Sequence, residues 1–75
     1  MSPESVKSRL QNKYNDGAVH VLDLTGTENH YQVEVHSSLF KGLSRIEQHQ
    51  DVMSVFAEEL KTGEVHALSI KTKVL

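Results

Sequence analysis

The hydrophobic positions of this chain change period along its length, and each change marks an element. From Ser2 to Tyr14, the apolar residues Val6, Leu10 and Tyr14 recur every fourth position, with Lys7, Arg9 and Lys13 lying elsewhere. That spacing predicts an amphipathic helix with one buried stripe. Ser2-Pro3-Glu4 supplies an N-cap, a proline suited to the first helical position and an acid for the first turn, and Asn15-Asp16-Gly17 ends the helix. Ala18–Thr25 and His30–His36 then read as two strands joined by Gly26-Thr27-Glu28-Asn29, an antiparallel hairpin with a four-residue connection. In the second strand, Tyr31, Val33 and Val35 alternate with His30, Gln32, Glu34 and His36, so one face is buried and the other wet. In the first, Leu22 and Leu24 compete with Val19 and Val21 for the core, and a one-residue slip in register decides between them.

The second half switches to helical period and back. Ser37–Lys41 reads as a short helical turn closed by Gly42. Ser44-Arg45-Ile46-Glu47 is a capping box, in which the serine satisfies a free N–H at the third helical position while the glutamate reaches back. The helix it opens places Ile46, His49, Met53, Phe56 and Leu60 on one face, with Val52 beside them, and Gly63 is its stop. Glu64–Val74 alternates His66, Leu68, Ile70, Thr72 and Val74 against Val65, Ala67, Ser69, Lys71 and Lys73. A helix between the second and third strands makes them parallel, with a right-handed crossover. The expected fold class is α+β: an αββααβ sandwich with a three-stranded mixed sheet and its helices on one face.

Composition narrows the function classes. Seventy-five residues make a single domain, 1–75, and with no cysteine its core must hold without disulfides. No basic-then-apolar leader and no apolar run of membrane-spanning length appears, so no membrane association is expected and a cytoplasmic location is the default. Net charge is −2 with acidic and basic residues interspersed, which argues against tight sequence-independent binding to nucleic acid. No nucleophile elbow, phosphate loop or His-Glu-x-x-His pair is present, and so small a domain offers little concave volume for a substrate. The expectation is a non-catalytic protein. With no thiolate available, the five histidines are then the ligands to weigh.

Asn29-His30-Tyr31-Gln32-Val33, Ser37 and Ser38 with Phe40-Lys41-Gly42, Leu43-Ser44-Arg45-Ile46, Gln48-His49-Gln50 with Val52, and Val65-His66-Ala67-Leu68-Ser69-Ile70 follow one another in this order. The ordered set, over about residues 18–73, resembles the BolA-like family, and within it the IbaG (YrbA) branch. The resemblance implies a fold like the type II KH domain. It also implies partnership with a monothiol glutaredoxin and glutathione, sharing a bridging [2Fe–2S] cluster. Alternatively, it implies a nucleic-acid-binding regulator of transcription and stress responses. Two departures stand out: the loop Gly26-Thr27-Glu28-Asn29 holds neither the His nor the Cys that many members place there, and the Pro-initiated helix that members carry after the last strand is absent.

On that resemblance His66 is the leading metal ligand, since it corresponds to the histidine of the family's strand motif and neutral imidazole ligates iron in Rieske-type [2Fe–2S] centres. The other reading is a buried histidine bonded to a helix carbonyl near Gly63. His30, beside the hairpin loop, is either a second cluster-facing imidazole or a partner to the loop backbone. His30 and His36 share a strand face but lie six residues apart, roughly 20 Å at about 3.3 Å per residue, too far to chelate one ion. His36 and His20 are read as surface or half-buried residues, and His49 as a satisfied core histidine anchoring the helix to the sheet. A single His–metal bond is weak, so stable cluster binding demands ligands from a partner, and the isolated chain is expected to be a metal-free monomer. For nucleic acid, Lys41, Arg45, Lys71 and Lys73 form a small basic edge or ordinary solvated surface. Gly42-Leu43-Ser44-Arg45 lacks the second glycine of the KH phosphate loop, and Glu47, Asp51, Glu58 and Glu59 repel phosphate. Binding to DNA would be weak and steeply salt-dependent.

Overall fold

Eleven residues from Pro3 to Lys13 form the first helix, α1, and Ser2 caps it by accepting the N–H of Ser5. The computed structural model describes residues 1–24, 26 and 29–75. Val6, Leu10 and Tyr14 are all buried, as their spacing predicts. Strand β1 (Ala18–Asp23) pairs antiparallel with β2 (His30–Ser37), and β2 pairs parallel with β3 (Ala67–Val74), giving the order β1-β2-β3. A 3₁₀ turn, Ser38–Phe40, and two short helices, α2 (Arg45–Ser54) and α3 (Ala57–Thr62), connect β2 to β3. The part of the expected four-residue hairpin connection at residues 27 and 28 lies outside the described residues.

One face of the sheet carries the core. Tyr31, Val33 and Val35 of β2 are fully buried and pack with Val6, Leu10, Val52, Phe40 and Phe56; each such side chain contributes about 1.5–3 kcal/mol by leaving water. The register Val19↔Val35 and Val21↔Val33 settles the first strand: its valines turn inward, while Leu22 and Leu24 are 58 % and 51 % exposed. Gly17 precedes this strand under a close approach. A Cβ there would lie 1.6 Å from the carbonyl oxygen of His36, so glycine is required for β1 to lie alongside β2.

The long helix predicted after Ser44 is two helices. The capping box forms as expected, Ser44 accepting from the Glu47 N–H and Glu47 from the Ser44 N–H. Its buried line, however, is Gln48 and Val52, leaving Ile46 71 % and Met53 42 % exposed. The chain turns at Val55 and Phe56 before α3 begins. Arg9 of α1 holds this break: its Nη2 donates to the Val55 carbonyl at 2.6 Å, its guanidinium lies 4.9 Å over the Phe56 ring, and Nη1 pairs with Glu59 at 3.0 Å. Gln48, rather than His49, ties α2 to the sheet by accepting the Thr72 hydroxyl at 2.5 Å while donating to the Leu43 carbonyl. His49 is half-buried, and its Nε2 is enclosed without a hydrogen-bond partner, so it is not the satisfied anchor its position suggested. Gly63, at φ +85°, caps α3 in the left-handed region.

Candidate metal centre

The parallel register His30↔Ala67 brings the start of β2 beside the entry to β3. His66, one residue before β3, therefore meets His30: their ring centroids are 5.7 Å apart and the rings are nearly perpendicular. His66 is exposed, and Gly63 at the helix end lies under its ring, with Nε2 3.7 Å from where a Cβ would stand. The alternative of a sealed histidine bonded to a helix carbonyl does not hold. His30 is half-buried, and its Nδ1 pairs with the Oδ1 of Asn29 at 2.8 Å. With the amide oxygen accepting, Nδ1 carries the proton and Nε2 keeps its lone pair for a ligand.

Asn29 organises both rings, a role that motif reading did not assign. Besides the His30 contact, its backbone carbonyl accepts the N–H of His66 at 2.7 Å and that of Ala67 at 3.3 Å. Val65, buried beside them, donates its N–H to the Glu59 carbonyl and fixes the approach from α3. A signal for Asn29 exists in the sequence: a short polar residue at a strand entry, next to a histidine, is suited to hold that imidazole's tautomer.

Two imidazoles that can face one point fit part of an iron's coordination shell and no more. Among the described residues no group of three or more His, Asp or Glu side chains is arranged to hold a metal ion. An iron held by this pair would find no third side-chain ligand grouped with it among the described residues.

Of the predicted basic edge, Arg45, Lys71 and Lys73 line one surface depression with Glu34, His36, Ile70 and Thr72, and Lys41, the C-cap of the 3₁₀ turn, is exposed. Glu34 stands opposite Lys71 in the β2–β3 register, so this depression carries a carboxylate. Glu47 and Asp51 of α2 line a different depression. His20 is exposed and His36 half-buried, as expected, and their ring centroids are 6.3 Å apart across the β1–β2 pair.

The model of the BolA-like protein family matches residues 4–75, and the chain belongs to that family. It is 33 % identical to the uncharacterized protein RP812 of Rickettsia prowazekii over 72 residues, covering 96 % of this chain and 92 % of that one. Human BolA-like protein 1 is 40 % identical over 73 residues, covering 97 % of this chain and 48 % of the relative; this chain thus spans about half the length of that protein. The acid stress protein IbaG of Escherichia coli is 34 % identical over 71 residues, covering 95 % of this chain and 81 % of that one. Other branches match as well as the IbaG branch does, so the family is defined and the branch is not. The solved structure of BolA1 from Arabidopsis thaliana superposes with a TM-score of 0.85 at 29 % identity, covering 96 % and 89 % of the two chains. The BolA domain of SufE1 from the same plant gives 0.84 at 26 %, covering 96 % and 90 %. No helix among the described residues is long and apolar enough to cross a membrane.

Proposed function

We propose that this chain is a non-catalytic adaptor that docks on a monothiol glutaredoxin and shares a bridging [2Fe–2S] cluster with it, in iron homeostasis and stress response. The observation that carries this reading is the exposed His66 ring beside His30, at a sheet end held by Asn29. When bound, the cluster supplies a pair of irons needing soft or imidazole donors. His66 provides the principal ligand and His30 assists. The partner's cysteine and glutathione supply the thiolates that a cysteine-free chain lacks. Asn29 keeps the His30 proton on Nδ1 and sets the distance between the two rings. Because a ligating imidazole must be neutral at the donor nitrogen, acid weakens the shared site. One relative is an acid stress protein, in keeping with such a sensitivity.

The test mixes this chain with a monothiol glutaredoxin, iron, sulfide and glutathione under anaerobic conditions. A heterodimer should form whose visible spectrum differs from that of the glutaredoxin homodimer, and His66→Ala should remove the difference. A spectrum unchanged by His66→Ala refutes the ligand assignment. Binding to nucleic acid is the second reading, and one observation favours it: Arg45, Lys71 and Lys73 share a depression. Such binding would be weak and lost as salt rises, and absence of binding to duplex DNA at low salt ends it.

A further inference from the structure

We propose that the open face of the sheet holds a second, independent metal site, a two-imidazole chelate of His20 and His36 for a divalent transition ion such as Zn²⁺. The face is uncovered because α1 and α2 pack against the other side, so the outward positions His20, Glu34 and His36 stand at the surface or half-buried. His20 sits opposite Glu34 on β2, and His36 is two residues further along, so the two imidazoles are diagonal neighbours. Their centroids are 6.3 Å apart with the rings at 74°. Two imidazoles on one tetrahedral Zn²⁺, with Zn–N bonds of about 2.1 Å, have centroids about 5 Å apart. Side-chain rotation closes the gap of about 1 Å with no movement of the strands.

Glu34 completes the arrangement. Its Oε2 lies 3.1 Å from the Nε2 of His36. With Nε2–H donating to the carboxylate, Nδ1 of His36 becomes the metal-binding nitrogen, the carboxylate–histidine–metal relay that raises ligand basicity and fixes the ring. Glu34 also stands between the two surface depressions that His20 and His36 line, so its negative charge lies beside the space an ion would occupy. Lys71 and Lys73 face this site from β3, opposite Glu34 and His36, and Arg45 approaches from α2. These cations oppose a divalent ion and hold the affinity down. With two protein donors, the remaining coordination positions go to water. The site is at the far end of β2 from His30 and is separate from the cluster reading: either stands if the other fails.

The test titrates ZnCl₂ into the His30→Ala/His66→Ala chain at pH 7.5, followed by calorimetry and by the ¹⁵N shifts of the histidine rings. One Zn²⁺ should bind per chain, with perturbed His20 and His36 nitrogens. Adding His20→Ala or His36→Ala should weaken binding at least about tenfold, and Glu34→Gln should weaken it by less. Mild acid should release the ion, since imidazole must be neutral to bind. Should the double variant fail to fold, the unsubstituted chain gives the same readout through its ring nitrogens. An isotherm unaffected by His20→Ala and His36→Ala, or Zn²⁺ shifts confined to other histidines, overturns the proposal.

Discussion

Asn29 shows how much of the candidate centre depends on one short side chain. Its carbonyl positions His66 through the backbone, and its amide positions His30 through the ring. Of these two contacts Asn29→Ala removes the second and leaves the backbone carbonyl in place, so the His30 ring should lose its fixed tautomer, visible in its ¹⁵N shifts, while the His66 N–H keeps its bond. Cluster sharing should weaken in this variant but persist, in contrast to His66→Ala. Asp16 acts on the other end of β2. Its carboxyl accepts from the Ser38 hydroxyl, the Ser37 hydroxyl and the Ser38 N–H, which hold its pKa down to about 2. A carboxyl depressed in the folded state contributes stability that is complete above its unfolded value of about 4 and is lost as pH falls towards the folded one. Thermal melts should therefore show Asp16→Asn less stable than the parent at pH 7, with the two converging as the pH falls from about 4 to 2. A constant difference over that window would remove Asp16 from the acid response.

At the scale of elements, the parts with local causes were legible and those with distant causes were not. The cap and stripe of α1, the alternation of β2 and the capping box of α2 all follow from residues within a few positions of one another. The break at Val55 and Phe56 has no glycine or proline to announce it, because Arg9 from another helix supplies the carbonyl partner and the aromatic contact. For the same reason the buried face of α2 was misread: Gln48 turns inward to meet Thr72, a residue of β3. Arg9→Ala should thus cost about 1–3 kcal/mol in urea denaturation, through the unpaired Val55 carbonyl and lost cover on Phe56. Lys at position 9 should recover only part, since an ammonium cannot match the three contacts of the guanidinium. Gly17→Ala is expected to cost about 2 kcal/mol or more, because the added methyl meets the His36 carbonyl. A neutral effect would show that β1 can shift away.

Across the whole molecule, a three-stranded sheet that carries the core on one side leaves its other side open. The β2 strand carries a histidine at each end of that open face, and the neighbouring segments supply a second histidine to each: His66 for His30 and His20 for His36. Spacing along one strand correctly excluded a His30–His36 chelate, but distances along a strand say nothing of neighbours across it. The His30–His66 pair rests on the parallel β2–β3 register, and the His20–His36 pair on the β1 register that sequence left open. A core with no disulfide and few aromatics supports this surface. Substitutions of the exposed His66 should accordingly leave the unfolding free energy within about 0.5 kcal/mol of the parent.

The most direct measurement labels only this chain with ¹⁵N-histidine, assembles the cluster with unlabelled glutaredoxin and glutathione, reduces it and records pulsed electron paramagnetic resonance. A ¹⁵N coupling that disappears in His66→Ala is the predicted result. A reduced cluster with no nitrogen coupling from this chain would contradict ligation by His66.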